Sequence, residues 1–430
     1  MFCNQCEQTA QGTGCTIKGV CGKSPDIQSL QETLLFALKG IGAYSYHARV
    51  MGERDEQIDA FMHEAMFKTL TNVDFSIEDM LNVVLKAGAM NLRAMEMLDR
   101  ANTTFYGMPQ PVKVPTGVEN APGILVTGHD FPDLYELLKQ TEGTGIKIYT
   151  HGEMLPAHGY PELKKFSHLV GNYGSAWQKQ KREFPEFGGP VLATSNCVQI
   201  PTDDYRDRLF TIGITAIDGV QHIQSRKDMS AIINKALEIG PLKERPSQYD
   251  LTTGFHHTNV LALAPKIIEL VKSGKIRHFF LIGGCDGAKA SRNYFNELAD
   301  KVPKDCIIIT LACGKYRFNH KDFGDIEGIP RLLDLGQCNN AYSAIKVAAA
   351  LAEVFKTDVN GLPLSLVISW YEQKAVAVLL ALLYLDIKNI RLGPSPPAFF
   401  TPNVMKIVQD KYNLKMIGDP DGDMKEMLGN

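Results

Sequence analysis

At 430 residues the chain is too long for one hydrophobic core, so two or three domains are expected. Its 44% hydrophobic and 22% charged residues are ordinary for a soluble globular protein, and a net charge of −3 excludes a general nucleic-acid binder, which would carry a basic excess. The longest apolar run, AVAVLLALLYL at 375–385, has 11 residues, against the roughly 20 that cross a bilayer, so it reads as a buried helix.

The opening stretch, MFCNQCEQTAQGTGCTIKGVC, crowds Cys3, Cys6, Cys15 and Cys21 into a C-x2-C-x8-C-x5-C spacing. A disulfide framework needs an oxidising compartment, and this stretch has no apolar core of signal-peptide length. Nine cysteines are also too sparse for a stapled scaffold, and an odd count leaves one over. A cytoplasmic protein with reduced thiols is the expectation. Structural zinc usually pairs two short Cys-x2–4-Cys knuckles, and only the first pair here is short. One short pair followed by two separated cysteines, on a Gly- and Thr-rich loop, suits an iron–sulfur cluster better.

Residues 24 to 102 read as helical. A Ser-Pro-Asp start precedes Leu30, Leu34, Leu35 and Leu38 at helical spacing, and Ser76 with Asp79 resembles a capping box ahead of Leu81, Val84, Leu85 and Met95. The methionines there read as core filler. Pro109, Pro111, Pro115 and Pro122 rule out a helix and mark a domain linker. Beyond it, short β-branched runs alternate with amphipathic helices, as in GILVTG, DFPDLYELLKQT and IKIYT, which is the grammar of a doubly wound parallel sheet. A second break falls at GPLKERPSQYD. The expected architecture is multidomain, α and α/β. It has an N-terminal four-cysteine segment and helical bundle (1–110), then two Rossmann-like doubly wound α/β domains (111–250 and 251–430).

Reactive residues recur just past the probable strands. GILVTGHD ends near His129, IKIYTHGE on Glu153, GPVLATSNC on Cys197, IRHFFLIGGC on Cys285, CIIITLAC on Cys313 and GIPRLLDLGQC on Cys338, while LPLSLVISWYEQK delivers Glu372 and Lys374. Open α/β sheets bind their ligands at these carboxyl ends. Each residue alone has a duller explanation. A lone cysteine is most often a small buried hydrophobe, His129 a satisfied loop histidine, and Glu372 with Lys374 a solvated helix start. His151 and His158 are alternative ligands beside Glu153. The coincidence of four strand-end cysteines with two acids, a histidine and a lysine weakens the duller set. Cys306 begins a strand and reads as a buried structural thiol. GGCDG at 283–287 does not fit G-x-G-x-x-G, so a dinucleotide loop is disfavoured.

Thiolates favour soft iron–sulfur coordination, whereas carboxylate, imidazole and amine favour harder iron with oxygen bridges. Such a mixed set can hold a hybrid iron cluster, with the N-terminal cysteines carrying an electron relay. Lys374 coordinates only when neutral, which burial or a metal cation would have to enforce.

At this point the sequence resembles the hybrid cluster proteins, also called prismane proteins or hydroxylamine reductases. The resemblance rests on MFCNQCEQTAQGTGCTIKGVCGK, TGHD, YTHGEMLPAHGY, TSNC, GGCDG, ACGKYRFN, GQCNN and WYEQKA, and runs over nearly the whole chain. It implies that Cys3, Cys6, Cys15 and Cys21 ligate a [4Fe–4S] cluster. It also implies that His129, Glu153, Cys197, Cys285, Cys313, Cys338, Glu372 and Lys374 ligate a hybrid [4Fe–2O–2S]-type cluster, with Cys285 able to carry a persulfide. The implied activity is reduction of hydroxylamine to ammonia and water, with Glu153, His129 and Lys374 as candidates for proton delivery. A ferredoxin-like protein or a flavin/iron–sulfur reductase is the implied donor. Nitric oxide reduction and protein S-nitrosylation, tasks tied to nitrosative stress, are also proposed for the family.

One departure stands out. Typical members are about a hundred residues longer, with two related helical bundles before the first α/β domain, and LLFALKGIGAYSYHARVMG resembles the second of the pair. Shielding of the N-terminal cluster, donor docking and any homo-oligomer interface would feel that loss. The competing functions are a nitric oxide sensor or nitrosyl-transfer protein with the same clusters, a nickel-containing carbon monoxide dehydrogenase, and a zinc-stabilised α/β protein.

Overall fold

The computed structural model describes residues 1–429. The chain forms two compact units, one of Met1–Ala101 joined by the segment from Leu351 onward, the other Asn102–Ala350. Among the described residues no helix is long and apolar enough to cross a membrane.

The first unit is helical at its N-terminal end. Helix Pro25–Val50 starts where the Ser-Pro-Asp signal places it: the Ser24 hydroxyl accepts from the Ile27 amide at 3.2 Å, and Pro25 needs no intrahelical partner. Leu30, Leu34 and Leu38 are buried, as their spacing requires. Helices Glu56–Lys68 and Ile77–Tyr106 follow, and the Ser76 hydroxyl accepts from the Asp79 amide at 3.2 Å. The apolar run expected as a buried helix is helix Gln373–Tyr384, whose Ala375, Val376, Leu379, Leu380 and Leu383 are all buried. It packs closely on two others because glycines face it. A Cβ on Gly40 would come within 2.6 Å of Ala377, and one on Gly88 would overlap the Leu380 carbonyl. Three parallel strands complete this unit: Leu364–Ser369, Arg391–Gly393 and Lys415–Met416, with Val367 opposite Arg391 and Arg391 opposite Lys415.

The second unit holds a six-stranded parallel sheet in the spatial order 169–172, 147–151, 123–127, 191–193, 209–212, 221–223. The order reverses at Gly123–Thr127, whose two neighbours are the next strand in sequence, 147–151, and the third after it, 191–193, so this strand marks the topological switch point. Strands Leu332–Asp334, Cys306–Thr310 and His278–Gly284 lie side by side in parallel within the same unit. The proline-rich segment forms no helix, but it is more than a linker: Val112–Pro115 pairs antiparallel with Asp250–Thr253. Proline tolerates such an edge position, where its missing N–H costs no ladder bond.

Two buried histidines brace the six-stranded sheet. His151 places Nδ1 3.1 Å from the Thr127 hydroxyl and Nε2 3.0 Å from the Glu183 carboxylate. His158 places Nε2 3.0 Å from the Thr150 hydroxyl. Burial pushes the His158 pKa down to about 4, with the Gly171 carbonyl opposing. Burial works to raise Glu183, yet the hydrogen bond and charge of His151, with two bonds from Ser175, bring it down to about 2.

Two outcomes are expected. Gly88→Ala should destabilise by about 2 kcal/mol or more through overpacking. Gly42→Ala, where the nearest atom to a new Cβ is 3.7 Å away, should be neutral or stabilising by about 0.5–1 kcal/mol; equal denaturation midpoints for the two variants would contradict the packing account. The second outcome concerns acid. Below its ordinary value of 6.5, His158 binds a proton in the unfolded chain but not in the fold, so stability falls as pH drops from 6.5 towards 4, by on the order of 3 kcal/mol. Glu183 adds a further loss below about 4.5. His158→Gln should flatten the stability profile between pH 6.5 and 4, and superimposable profiles would remove His158 from acid sensitivity.

Candidate metal centre

In the first unit the N-terminal segment folds back on itself. The Cys3 and Cys15 amides each donate to the other residue's carbonyl, at 3.1 and 2.8 Å, forming one antiparallel bridge. Cys3 and Cys15 are buried, Cys6 half-buried and Cys21 exposed, and none of the chain's cysteines forms a disulfide. The amides of Ala10 and Val20 pull the Cys15 thiol below its ordinary value, burial opposes, and the Lys23 charge adds to the lowering. Amides and a cation aimed at sulfur favour thiolate, the form that binds metal.

In the second unit the expected residues sit just past their strands. His129 follows Gly123–Thr127, Glu153 follows Lys147–His151 and Cys197 follows Val191–Ala193, three neighbouring strands around the switch point. Cys285 follows His278–Gly284, Cys313 follows Cys306–Thr310 and Cys338 follows Leu332–Asp334, again three neighbours. The two groups meet. His129 Nε2 stands 4.0 Å from Glu153 Oε2, which accepts from the Cys338 amide at 2.8 Å. A ligand atom from each of His129, Glu153 and Cys338 lies within 4.8 Å of the other two. Burial pushes the Cys313 thiol well above its ordinary value, and the charges of Glu153, Cys197, Cys285 and Asp286 add to that. Imidazole, carboxylate and thiol gathered at this spacing fit a metal centre: coordination would take the proton from sulfur and offset the clustered negative charge.

The backbone at this site is strained where sulfur is presented. Cys197 has φ 65° and Ala312, just before Cys313, has φ 62°. Left-handed conformations in residues with a Cβ cost of order 1–3 kcal/mol and persist only where the surroundings enforce them. At Cys197 the enforcement comes from Gln180, which donates to the Cys197 carbonyl at 2.8 Å and accepts from the Gln199 amide at 2.9 Å.

Glu372 and Lys374 belong to the first unit. Glu372 caps helix Gln373–Tyr384, its carboxylate 3.3 Å from the Lys374 amide and 3.9 Å from Lys374 Nζ, and Lys374 is buried. Glu372 is therefore a capping residue as well as a candidate ligand. His151 and His158, the alternatives beside Glu153, direct their ring nitrogens to Thr127, Glu183, Thr150 and Gly171. Cys306 is buried at the start of its strand; burial and then Asp305 push its thiol up to about 12, as suits an inert thiol.

Sequence reasoning missed the supports. The Gln337 amide group donates to the Glu153 carbonyl at 2.7 Å and the His129 carbonyl at 3.2 Å. Lys315 and Asp334, both fully buried, pair at 2.6 and 2.8 Å, and Lys315 also reaches the Gly336 carbonyl at 2.8 Å. Asp286 accepts from Gln178 and Arg317, each at 2.7 Å, pinning the turn after Cys285. Ser195 orients His129 through Nδ1 at 2.8 Å. The only local signal was adjacency: Gln337 and Asp286 each flank a strand-end cysteine.

Comparison with known proteins follows this geometry. A family model described as Prismane/CO dehydrogenase family matches residues 1–84 and 44–425. A hydroxylamine reductase of Moorella thermoacetica is 65% identical over 429 residues, covering 100% of both chains. One of Geobacter metallireducens is 44% identical over 548 aligned residues, again covering 100% of both. Among solved structures, the nickel-free carbon monoxide dehydrogenase of Thermococcus sp. AM4 superposes with a TM-score of 0.79 at 16% identity, covering 100% of this chain and 90% of that one, which is a likeness of fold. With a family match across nearly its whole length and relatives this similar, the chain belongs to the Prismane/CO dehydrogenase family.

Proposed function

We propose that the chain reduces hydroxylamine to ammonia and water: two electrons and two protons enter as the N–O bond breaks. Support comes from relatives that bear the name hydroxylamine reductase at up to 65% identity over the full chain. The observation that carries the reading is the donor set. An imidazole (His129), a carboxylate (Glu153) and the thiols of Cys197, Cys285, Cys313 and Cys338 project from adjoining strand ends in the second unit. That mixture would suit an iron cluster containing both sulfide and oxygen, which these residues would hold. The family resemblance adds Glu372 and Lys374 to the ligand set, and a persulfide at Cys285. When bound, this cluster supplies electrons and an open position for a small nitrogen–oxygen substrate.

The chain's own residues handle orientation and protons. The Cys338 amide fixes the Glu153 carboxylate, and Gln337 fixes the backbone beneath it. Ser195 holds His129 through Nδ1, so Nε2 is the nitrogen turned towards Glu153. Both side chains are almost wholly buried, with 7% and 4% of their surface exposed, which limits bulk water. Glu153, His129 and Lys374 are the groups proposed to hold and move the protons. Cys3, Cys6, Cys15 and Cys21 hold the [4Fe–4S] relay, fed in the cytoplasm by a ferredoxin-like protein or a flavin/iron–sulfur reductase.

Protein purified without air should contain about eight irons per chain, in two cluster types. Glu153→Gln should lower hydroxylamine turnover by about 10²-fold or more while the EPR signal of the N-terminal cluster persists. Undiminished turnover would remove Glu153 from the mechanism. Turnover of the parent protein that stops after one equivalent of substrate would favour a nitric oxide sensor instead.

A further inference from the structure

Lys23 is a fully buried lysine with no carboxylate among its partners in the described residues. Its Nζ lies 3.0 Å from Gln28 Oε1, 2.6 Å from Gln31 Oε1 and 3.8 Å from Cys3 Sγ. Both glutamines are held with their oxygens towards it. Gln31 Nε2 donates to the carbonyls of Lys68 and Leu70 at 3.3 and 3.2 Å, and Gln28 Nε2 donates to Glu32 at 2.9 Å. The segment is built to keep an ammonium inside. A buried charge is expensive unless it is compensated, and two neutral amide oxygens are a partial answer. A hydrophobic side chain of the same length would fill the position at lower cost. The remaining partner is sulfur, and the Lys23 charge also reaches Cys15.

An iron–sulfur cluster held by four thiolates is a net anion, and reduction adds one more negative charge. The potential of such a cluster follows local charge and the hydrogen bonds reaching its sulfurs. A fixed cation against Cys3 therefore stabilises the reduced form more than the oxidised one. We propose that Lys23 is the positioning residue that sets the reduction potential of the N-terminal cluster, its ammonium supplying both positive charge and an N–H towards the Cys3 sulfur. This rests on the reading of Cys3, Cys6, Cys15 and Cys21 as cluster ligands. No chemistry at the second site enters it.

The test uses the full chain, purified without air, and compares Lys23→Met and Lys23→Arg with the parent by iron analysis and an EPR-monitored redox titration of the N-terminal cluster. The expected result is a negative shift of the midpoint potential in Lys23→Met, a parent-like potential in Lys23→Arg, and unchanged or raised unfolding stability of metal-free Lys23→Met. If Lys23→Met alone loses the cluster, Lys23→Gln takes its place in the titration, with the same negative shift expected and an unshifted potential overturning the proposal. Three results overturn it: an unshifted potential in Lys23→Met, an equal shift in both variants, or loss of the cluster from both, which marks a packing role. Absence of the N-terminal cluster from the parent overturns the ligand reading itself, and is distinguishable because it precedes any substitution.

Discussion

The buried pair of Lys315 and Asp334 is the constraint on which the second unit's site hangs. Lys315 lies in the turn that follows Cys313; Asp334 ends the strand that leads to Cys338. Joining them locks two neighbouring strand ends together in a medium where a charge left alone would be costly, so removing either partner would be worth roughly 3–5 kcal/mol. Replacing both by apolar residues would cost far less, which makes stability a poor reason for the pair. Its geometric result is plainer: Lys315 also holds the Gly336 carbonyl, Gln337 follows, and Gln337 reaches across to the backbones of His129 and Glu153. One ion pair thereby aligns donors from both strand groups of the unit.

How much of this was legible in the sequence depends on the range of the interaction. Strand-end placement was legible for His129, Glu153, Cys197, Cys285, Cys313, Cys338 and Glu372, because β-branched runs locate strands and the residue just past a run is a local fact. Helix starts at Ser24 and Ser76 were legible for the same reason, as capping needs only three residues. The choice between Glu153 and its neighbours His151 and His158 was not. His151 and His158 are occupied by Thr127, Gly171 and Glu183, which lie on other elements, and by Thr150, on the strand that ends at His151. Gln337 was invisible because its partner Glu153 is 184 positions away. Lys23 looked like one more lysine beside a cysteine motif, and only burial makes it unusual. The proline-rich segment was misjudged in part: its prolines exclude a helix, but they do not exclude an edge strand paired with Asp250–Thr253.

The two candidate clusters are framed by different physics. The N-terminal cysteines come from one short loop, so its own turns and one bridge between Cys3 and Cys15 bring them together. The second set comes from strands spread over most of a unit, and folding must finish before its donors assemble. A local site can take up metal early; a dispersed one must wait for its sheet.

The left-handed backbone at Cys197 gives that waiting a physical form. A residue with φ 65° is a wound torsion spring, held by Gln180 on one side and, when metal is present, by sulfur on the other. Asn196 adds a contact of its own, its side-chain amide donating to Cys197 Sγ at 3.3 Å, and metal at that sulfur would add a further one. Capture of the thiol by metal would therefore tighten a segment, Thr194 to Gln199, that Gln180 and Asn196 already hold. Amide exchange at Val198 that slows on metal loading would register that tightening, and equal rates would show that the chain's own hydrogen bonds already hold the segment.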